Sequence, residues 1–192
     1  LFLAVDPGVF GAVAVIETGK TMRVSRLVTL PRDAAGLAML LRLLDDNSDV
    51  EMVAVERQSA MPRQGRTSIA SQMTAYGVIL GACAALGLRV ECVAPVQWKR
   101  LAGAVVQSVS LNTKPQSSGS LLNAGKASSD SKSQLTFGSL LNAGKAASLA
   151  HARAVPGFVD AMPARTSQAV QIGMADATLI GLVGYRLATH RA

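Results

Sequence analysis

LFLAVDPGVFGAVAVI, residues Leu1–Ile16, decides how the rest of the chain is read. Its first apolar run, Leu1–Asp6, is too short for an ordinary helix and stops at Asp6-Pro7-Gly8. Proline brings no N–H to a strand ladder and glycine enters turns at little steric cost, so this tripeptide ends a strand. A second apolar run covers Gly11–Thr18, and a third covers Met22–Leu30 after a turn at Gly19-Lys20. Three strands joined by short turns make an antiparallel meander, with the carboxylate of Asp6 at the end of the first strand.

Outward from the meander, Ala34–Asp46 carries Leu37, Met39, Leu40, Leu43 and Leu44 at helical spacing. Glu51–Glu56 is a fourth strand; Met52, Val53 and Val55 mark it as buried on both faces, and Glu56 ends it. Ser68–Leu86 is a long helix of small residues closed by Gly87. Arg89–Val93 is a fifth strand, and beyond Pro95 lies a short helix, Gln97–Ala102. A helix from Ser139 to Ala154, a Pro/Gly loop from Pro156 to Pro163 and a final helix, Ser167–Thr189, complete the order. Three strands followed by alternating helices and strands predict an α/β, ribonuclease-H-like fold: a five-stranded mixed sheet flanked by helices.

At 192 residues the chain is long enough for a single domain, residues 1–192, and too short for two large ones. Hydrophobic residues make up 49% and aromatics only 4%, so the core must come from Ala, Val, Leu and Ile. No uninterrupted apolar run approaches the ~20 residues that cross a bilayer, and no membrane association is expected. Cys83 and Cys92 lack metal-ligand spacing and read as core residues of a reducing compartment. Because the chain starts at Leu1, inside an apolar run, a targeting peptide is expected to lie outside it.

Charge is divided unevenly. Residues 1–96 hold nine Lys+Arg against nine Asp+Glu, whereas residues 97–192 hold ten against three and supply the net +7. A neutral half beside a basic half is the footprint of a polyanion-binding face. Residues 104–137 interrupt the pattern with Ser, Asn, Gln and Lys. Within them Gly119–Ala127 (GSLLNAGKA) recurs at Gly138–Ala146. A repeat so short, present twice, marks a local duplication, expected to be a disordered surface insertion without a catalytic role.

Of twelve acidic residues, three carry the argument: Asp6 ends the first strand, Glu56 ends the fourth, and Asp176 falls within Gly173-Met174-Ala175-Asp176-Ala177, where small residues allow close approach to the sheet. Carboxylates converging at one sheet edge repel one another unless a cation lies between them. Hard oxygen donors favour Mg2+, with Mn2+ as substitute. Two such ions about 4 Å apart activate water and stabilise a leaving oxygen in phosphodiester hydrolysis. The loop Ser59–Ser68 (SAMPRQGRTS) follows Glu56 directly. Pro62 and Gly65 fix its turn, Arg63, Gln64 and Arg66 offer donors to phosphates and base edges, and Met61 is an apolar tip able to wedge between unstacked bases.

LAVDPGVFGAVAVI, VAVERQSAMPRQGRTS, the glycines of YGVILGACAALG, and APVQWKR resemble, in that order, the RuvC-like Holliday junction resolvases. They are especially similar to a bacterial and plastid branch whose second motif runs from the Glu into a Met-Pro-x-Gln-Gly loop. The resemblance covers Leu1–Gly103 well and residues 138–185 more loosely. It implies a Mg2+-dependent endonuclease with two ions and no organic cofactor, acting as a homodimer on four-way branched DNA, and a chloroplast location. It also implies that Asp6, Glu56 and Asp176 bind the metals. Trp98, Lys99 and Arg100 fall on the family's Trp-Lys-Arg motif, and Lys145 and Ser148 on a Lys-x-x-Ser helix opening, which makes Lys99, Arg100, Lys145 and Ser148 DNA contacts.

One departure stands out. The branch places an Asp or His four residues before the final acid, where this chain has Ile172; other RuvC proteins place an acid at the position of Gly173. A fourth acidic ligand is therefore missing, and His151 in the preceding helix is a weak substitute. The rival readings are a junction-binding protein with impaired cleavage and a related nuclease acting on RNA. A sugar-kinase-like ATPase, suggested by Asp6-x-Gly8, would need a second phosphate loop and a second domain, for which there is no room.

Overall fold

The computed structural model describes residues 1–8, 10–30, 40, 42–43, 46, 49–60, 64–111 and 137–190, with the backbone alone at 110–111 and 137–143. Five strands form one sheet: β1 (Phe2–Asp6), β2 (Ala12–Glu17), β3 (Arg23–Thr29), β4 (Met52–Glu56) and β5 (Val90–Val93). Their spatial order is β3-β2-β1-β4-β5. The first three run antiparallel as a meander, while β4 and β5 run parallel to β1. This is the ribonuclease-H-like sheet expected from the order of elements.

Side chains alternate across the strands and divide the core in two. Leu3, Val5, Val13, Val15, Val53 and Val55 face one way, towards Ile79 and Cys83 of helix α1 (Arg66–Ala85) and towards Leu40 and Leu43. Leu40, Arg42, Leu43 and Asp46 are helical, as their spacing predicts; most of the expected Ala34–Asp46 helix lies outside the described residues. The other face carries Phe2, Ala4, Ala12, Ala14, Met52 and Ala54. Against it pack α2 (Pro95–Leu111), α3 (Phe137–Arg153) and α5 (Gln168–Thr189), with the short α4 (Phe158–Ala161) beside β3.

Small residues set how close α5 comes to the sheet. A Cβ on Gly181 would lie 2.6 Å from the Ala4 Cβ, and one on Gly184 would lie 2.7 Å from the Ala54 Cβ. Glycine on the helix facing alanine on the two central strands lets the backbones approach within a distance that no larger pair allows. The result is a helix buried almost continuously from Gly173 to Gly184, which fixes the height of Asp176 over the sheet.

Three expectations need correction. The helix after Pro95 does not stop at Ala102; it continues to Leu111, because Ala102, Val105, Val106 and Val109 form one buried helical stripe. Residues 104–111 of the expected insertion are therefore helical, and residues 112–136 lie outside the described residues. The loop Pro156–Pro163 contains the turn of helix α4, seated by buried Phe158. Finally, α1 is 20 residues long and apolar enough by length and composition to cross a membrane. Its isolated Ser, Thr and Gln residues hid that from a search for unbroken apolar runs. It packs on the sheet through Ala75, Ile79 and Cys83 and ends where Gly87 adopts a left-handed φ of 65°. Cys83 is a buried core thiol pushed up to about 11 by that burial, while Cys92 is only half-buried and accepts a hydrogen bond from the Tyr76 hydroxyl at 3.3 Å.

Candidate active site

Parallel pairing of β1 and β4 matches Val5 with Val55, so the next residue of each strand, Asp6 and Glu56, emerges at the same sheet edge on neighbouring strands. The turn after β1 then shapes itself around Asp6. The Gly8 N–H donates to Asp6 Oδ1 at 2.8 Å, and a Cβ on Gly8 would stand 2.9 Å from that oxygen. Asp6 is thus a buried carboxylate, 8% exposed, held by a backbone donor that only glycine leaves room for.

Asp176 comes to the same edge from α5. It lines a cleft of about 530 Å³ together with Asp6, Gly8, Phe10, Lys145, Ile172 and Gly173. A second cleft, about 380 Å³, opens on the other side, lined by Trp98, Lys99, Lys145, Ser148, His151 and Asp176 among others. Asp176 and Lys145 belong to both. Burial raises the Asp176 carboxyl to about 6, opposed by the Ser148 hydroxyl and the Lys99 charge, reinforced by the charge of Glu56 and opposed again by Lys145. Its Oδ1 is buried and has no hydrogen-bond partner among the described residues. A buried, unsatisfied carboxylate oxygen is costly and waits for a donor or a cation.

Glu56 is differently placed. Its Oε1 accepts from the Trp98 indole N–H at 2.9 Å and its Oε2 from the Gln58 side-chain amide at 2.9 Å. It lines neither cleft. Trp98 is 1% exposed and packs in the core, with the Lys99 ammonium 5.2 Å from its ring centroid. The Trp-Lys-Arg motif thus divides its labour: the indole fixes a carboxylate, Lys99 reaches the second cleft, and Arg100 is exposed and lines neither cleft. Sequence reasoning had no means of finding the Trp98–Glu56 bond, which links residues 42 apart, nor Gln58 behind it.

Divalent-metal chemistry is supported by donor type and by the orphaned Asp176 oxygen beside a cleft that Asp6 also lines. Against a preformed cage, no three His, Cys, Asp or Glu side chains among the described residues group closely enough to hold one ion. The missing fourth ligand has a steric cause at one of its two positions. A Cβ on Gly173 would fall 2.0 Å from the Phe10 carbonyl oxygen, so the β1–β2 turn occupies the space an acid there would need. Ile172, by contrast, lines the cleft itself. His151 lies in the second cleft with Asp176 and away from Asp6.

Of the loop residues, Gln64 is half-buried, Gly65 is the N-cap of α1 and Arg66 its first, exposed residue. Met61, Pro62 and Arg63 lie outside the described residues.

No protein-family model matches this chain, and no curated protein is significantly similar to it. Solved structures are. RuvC of Thermus thermophilus, described in complex with a Holliday junction substrate, superposes with a TM-score of 0.56 at 19% identity, covering 98% of this chain and 95% of that one. A second structure of Thermus thermophilus RuvC gives 0.56 at 17% identity with the same coverage. The fold is therefore the ribonuclease-H-like fold that those RuvC structures share, matched over nearly the whole length of this chain.

Proposed function

We propose that this chain is a structure-selective endonuclease that resolves four-way DNA junctions by divalent-metal-assisted phosphodiester hydrolysis. The observation that carries this reading is Asp176. Its half-buried carboxylate, whose buried Oδ1 has no hydrogen-bond partner among the described residues, stands on the wall shared by a cleft that Asp6 lines and a cleft that Lys99 lines, with Lys145 common to both. That is the division of charge a phosphodiester needs: carboxylates where a cation and water gather, and ammonium groups where the phosphate oxygens run.

In this mechanism Asp6, Glu56 and Asp176 would hold Mg2+ or Mn2+, which supplies Lewis acidity towards the phosphate and lowers the pKa of bound water. Asp6 is held ready by the Gly8 N–H, and Trp98 and Gln58 restrain Glu56 beside it. Lys145 and Lys99 draw the backbone of a DNA strand across the two clefts, and Ser148 offers a donor in the second. The exposed Arg100, Arg153, Arg165 and Arg186 of the second half extend the same positive field. Met61, Arg63, Gln64, Gly65 and Arg66 would meet the junction centre. Two copies acting together would place paired nicks on opposing strands, matching the near two-fold symmetry of a four-way junction.

A second reading, junction binding with impaired cleavage, is favoured by the lack of a three-ligand cluster among the described residues and by the filled space at Gly173. One experiment separates the two. Nicking of a labelled four-way junction is measured with and without Mg2+, beside a duplex, an RNA duplex and the variants Asp6→Asn, Glu56→Gln and Asp176→Asn. Metal-dependent, paired cleavage of the junction alone, lost in each variant with binding retained, is the expected result. Binding without cleavage selects the second reading, and cleavage of RNA in preference overturns both.

A further inference from the structure

Behind Glu56 runs a chain of side-chain amides that neither cleft explains. Gln58 donates through Nε2 to Glu56 Oε2 at 2.9 Å. Gln72, on the second turn of α1, donates through Nε2 to Gln58 Oε1. Gln64, in the loop just before α1, donates through Nε2 to Gln72 Oε1 at 2.6 Å and to Ser68 Oγ at 3.2 Å. All three glutamines are half-buried, so each amide depends on its neighbour more than on water.

The direction of this chain is forced. An ionised carboxylate only accepts hydrogen bonds, so Gln58 must turn its NH2 towards Glu56. That leaves the Gln58 oxygen facing outward, where it can only be met by a donor, and Gln72 must therefore present its own NH2. The same logic passes to Gln64. With Trp98 fixing the other oxygen, Glu56 is gripped at both ends, and one grip terminates in the loop at Gln64.

We infer that Gln58 and Gln72 are positioning residues that hold the Glu56 carboxylate and couple its orientation to the loop at Gln64. The effect on cleavage rests on the nuclease reading above; the relay itself does not. Both N–H bonds of the Gln64 amide group are committed, one to Gln72 and one to Ser68. A base-edge acceptor that takes a Gln64 N–H must compete with one of them, and loss of the bond to Gln72 leaves Gln72, and through it Gln58, less firmly oriented. What Gln64 meets is thereby communicated through Gln72 and Gln58 to the Glu56 carboxylate.

The discriminating variants are Gln72→Glu and Gln72→Met in the full chain. Gln72→Glu keeps the shape but replaces the donor by an acceptor, so it opposes the Gln58 oxygen and reverses the chain. Gln72→Met removes the donor and leaves the Gln58 oxygen without its partner. A packing role ranks Glu as the milder change, whereas the relay ranks it the more severe. In metal-free, DNA-free protein, Gln72→Glu should shift the Gln58 side-chain amide resonances, and protonating the introduced carboxyl by lowering the pH should bring them back to those of the parent protein at the same pH. In single-turnover cleavage of a four-way junction, Gln72→Glu should lose about tenfold or more and Gln72→Met less, with junction affinity changed under about twofold in both. Unmoved resonances, or a Met variant at least as slow as the Glu variant, overturn the inference. Resonances that move and recover in a protein that cleaves nothing support the relay and reject the nuclease reading instead.

Discussion

Asp176→Asn should make the metal-free protein more stable at neutral pH, although it removes a residue assigned to the site. The carboxyl is raised from 3.8 to about 6, chiefly by burial. Between those values the folded state binds a proton that the unfolded chain has released, so stability falls as pH rises through this window and levels off above about 6. A rise of that size corresponds to roughly 3 kcal/mol of preference for the neutral carboxyl. The asparagine amide still leaves a polar atom where Oδ1 now lacks a partner, which retains about 1 kcal/mol of that cost. The net gain at about pH 7.5 is therefore about 2 kcal/mol, and it should vanish near pH 4. Urea unfolding in EDTA, followed by circular dichroism from about pH 4 to 8, reads the difference between parent and variant directly. A difference that stays flat across this range, or a variant less stable than the parent at its upper end, refutes the claim that Asp176 is strained by burial without a cation.

Gly184→Ala brings a methyl within 2.7 Å of the Ala54 Cβ and should lower stability by about 1–3 kcal/mol, read as a drop in thermal midpoint. Gly173→Ala meets backbone rather than side chain, at 2.0 Å from the Phe10 oxygen, and should cost at least as much; Gly173→Asp should then unfold the site, not restore a ligand. A folded Gly173→Asp variant with tighter Mg2+ binding in calorimetry would show that the turn yields. Replacing Lys99, Arg100 and Lys145 by Ala should flatten the slope of log affinity against log salt by roughly 0.9 per lost phosphate contact, and an unchanged slope means these charges only solvate the surface.

Much of the sheet was legible because β1, β2 and β5 are short, largely apolar runs followed by residues that do not continue a strand: Pro7 after β1, Gly19 beyond β2, Pro95 beyond β5. Helix α2 was cut short because Gln107, Ser108 and Ser110 gave its last turns the composition of the insertion that follows. The buried positions Val105, Val106 and Val109 nevertheless carried the period. Asp176 was legible from the small residues around it, which announce close approach to another backbone. What could not be read was anything joining distant residues through a single side-chain atom. The Trp98 indole on Glu56 and the glutamines behind it depend on where α1 and α2 settle over the sheet, and no local pattern encodes that. The Phe10 carbonyl over Gly173 is of the same kind: the sequence displays a missing acid, and only the packed chain displays what stands in its place.

Asp6 belongs to the first strand of this fold, whereas Asp176 belongs to its last helix and is therefore synthesised later. The same helix lies directly over Ala4 and Ala54, so until it emerges the middle of that face of the sheet is uncovered. A nascent chain can pair its strands and seat α1 on the opposite face, yet it carries only part of the carboxylate set. Assembly of the site is thus deferred to the step that completes the core. A polypeptide interrupted before Gly173 would have Asp6 and Glu56 at the sheet edge and no Asp176 to meet them. Under the nuclease reading proposed above, that delay would keep an unfinished chain from cutting nucleic acid met during translation.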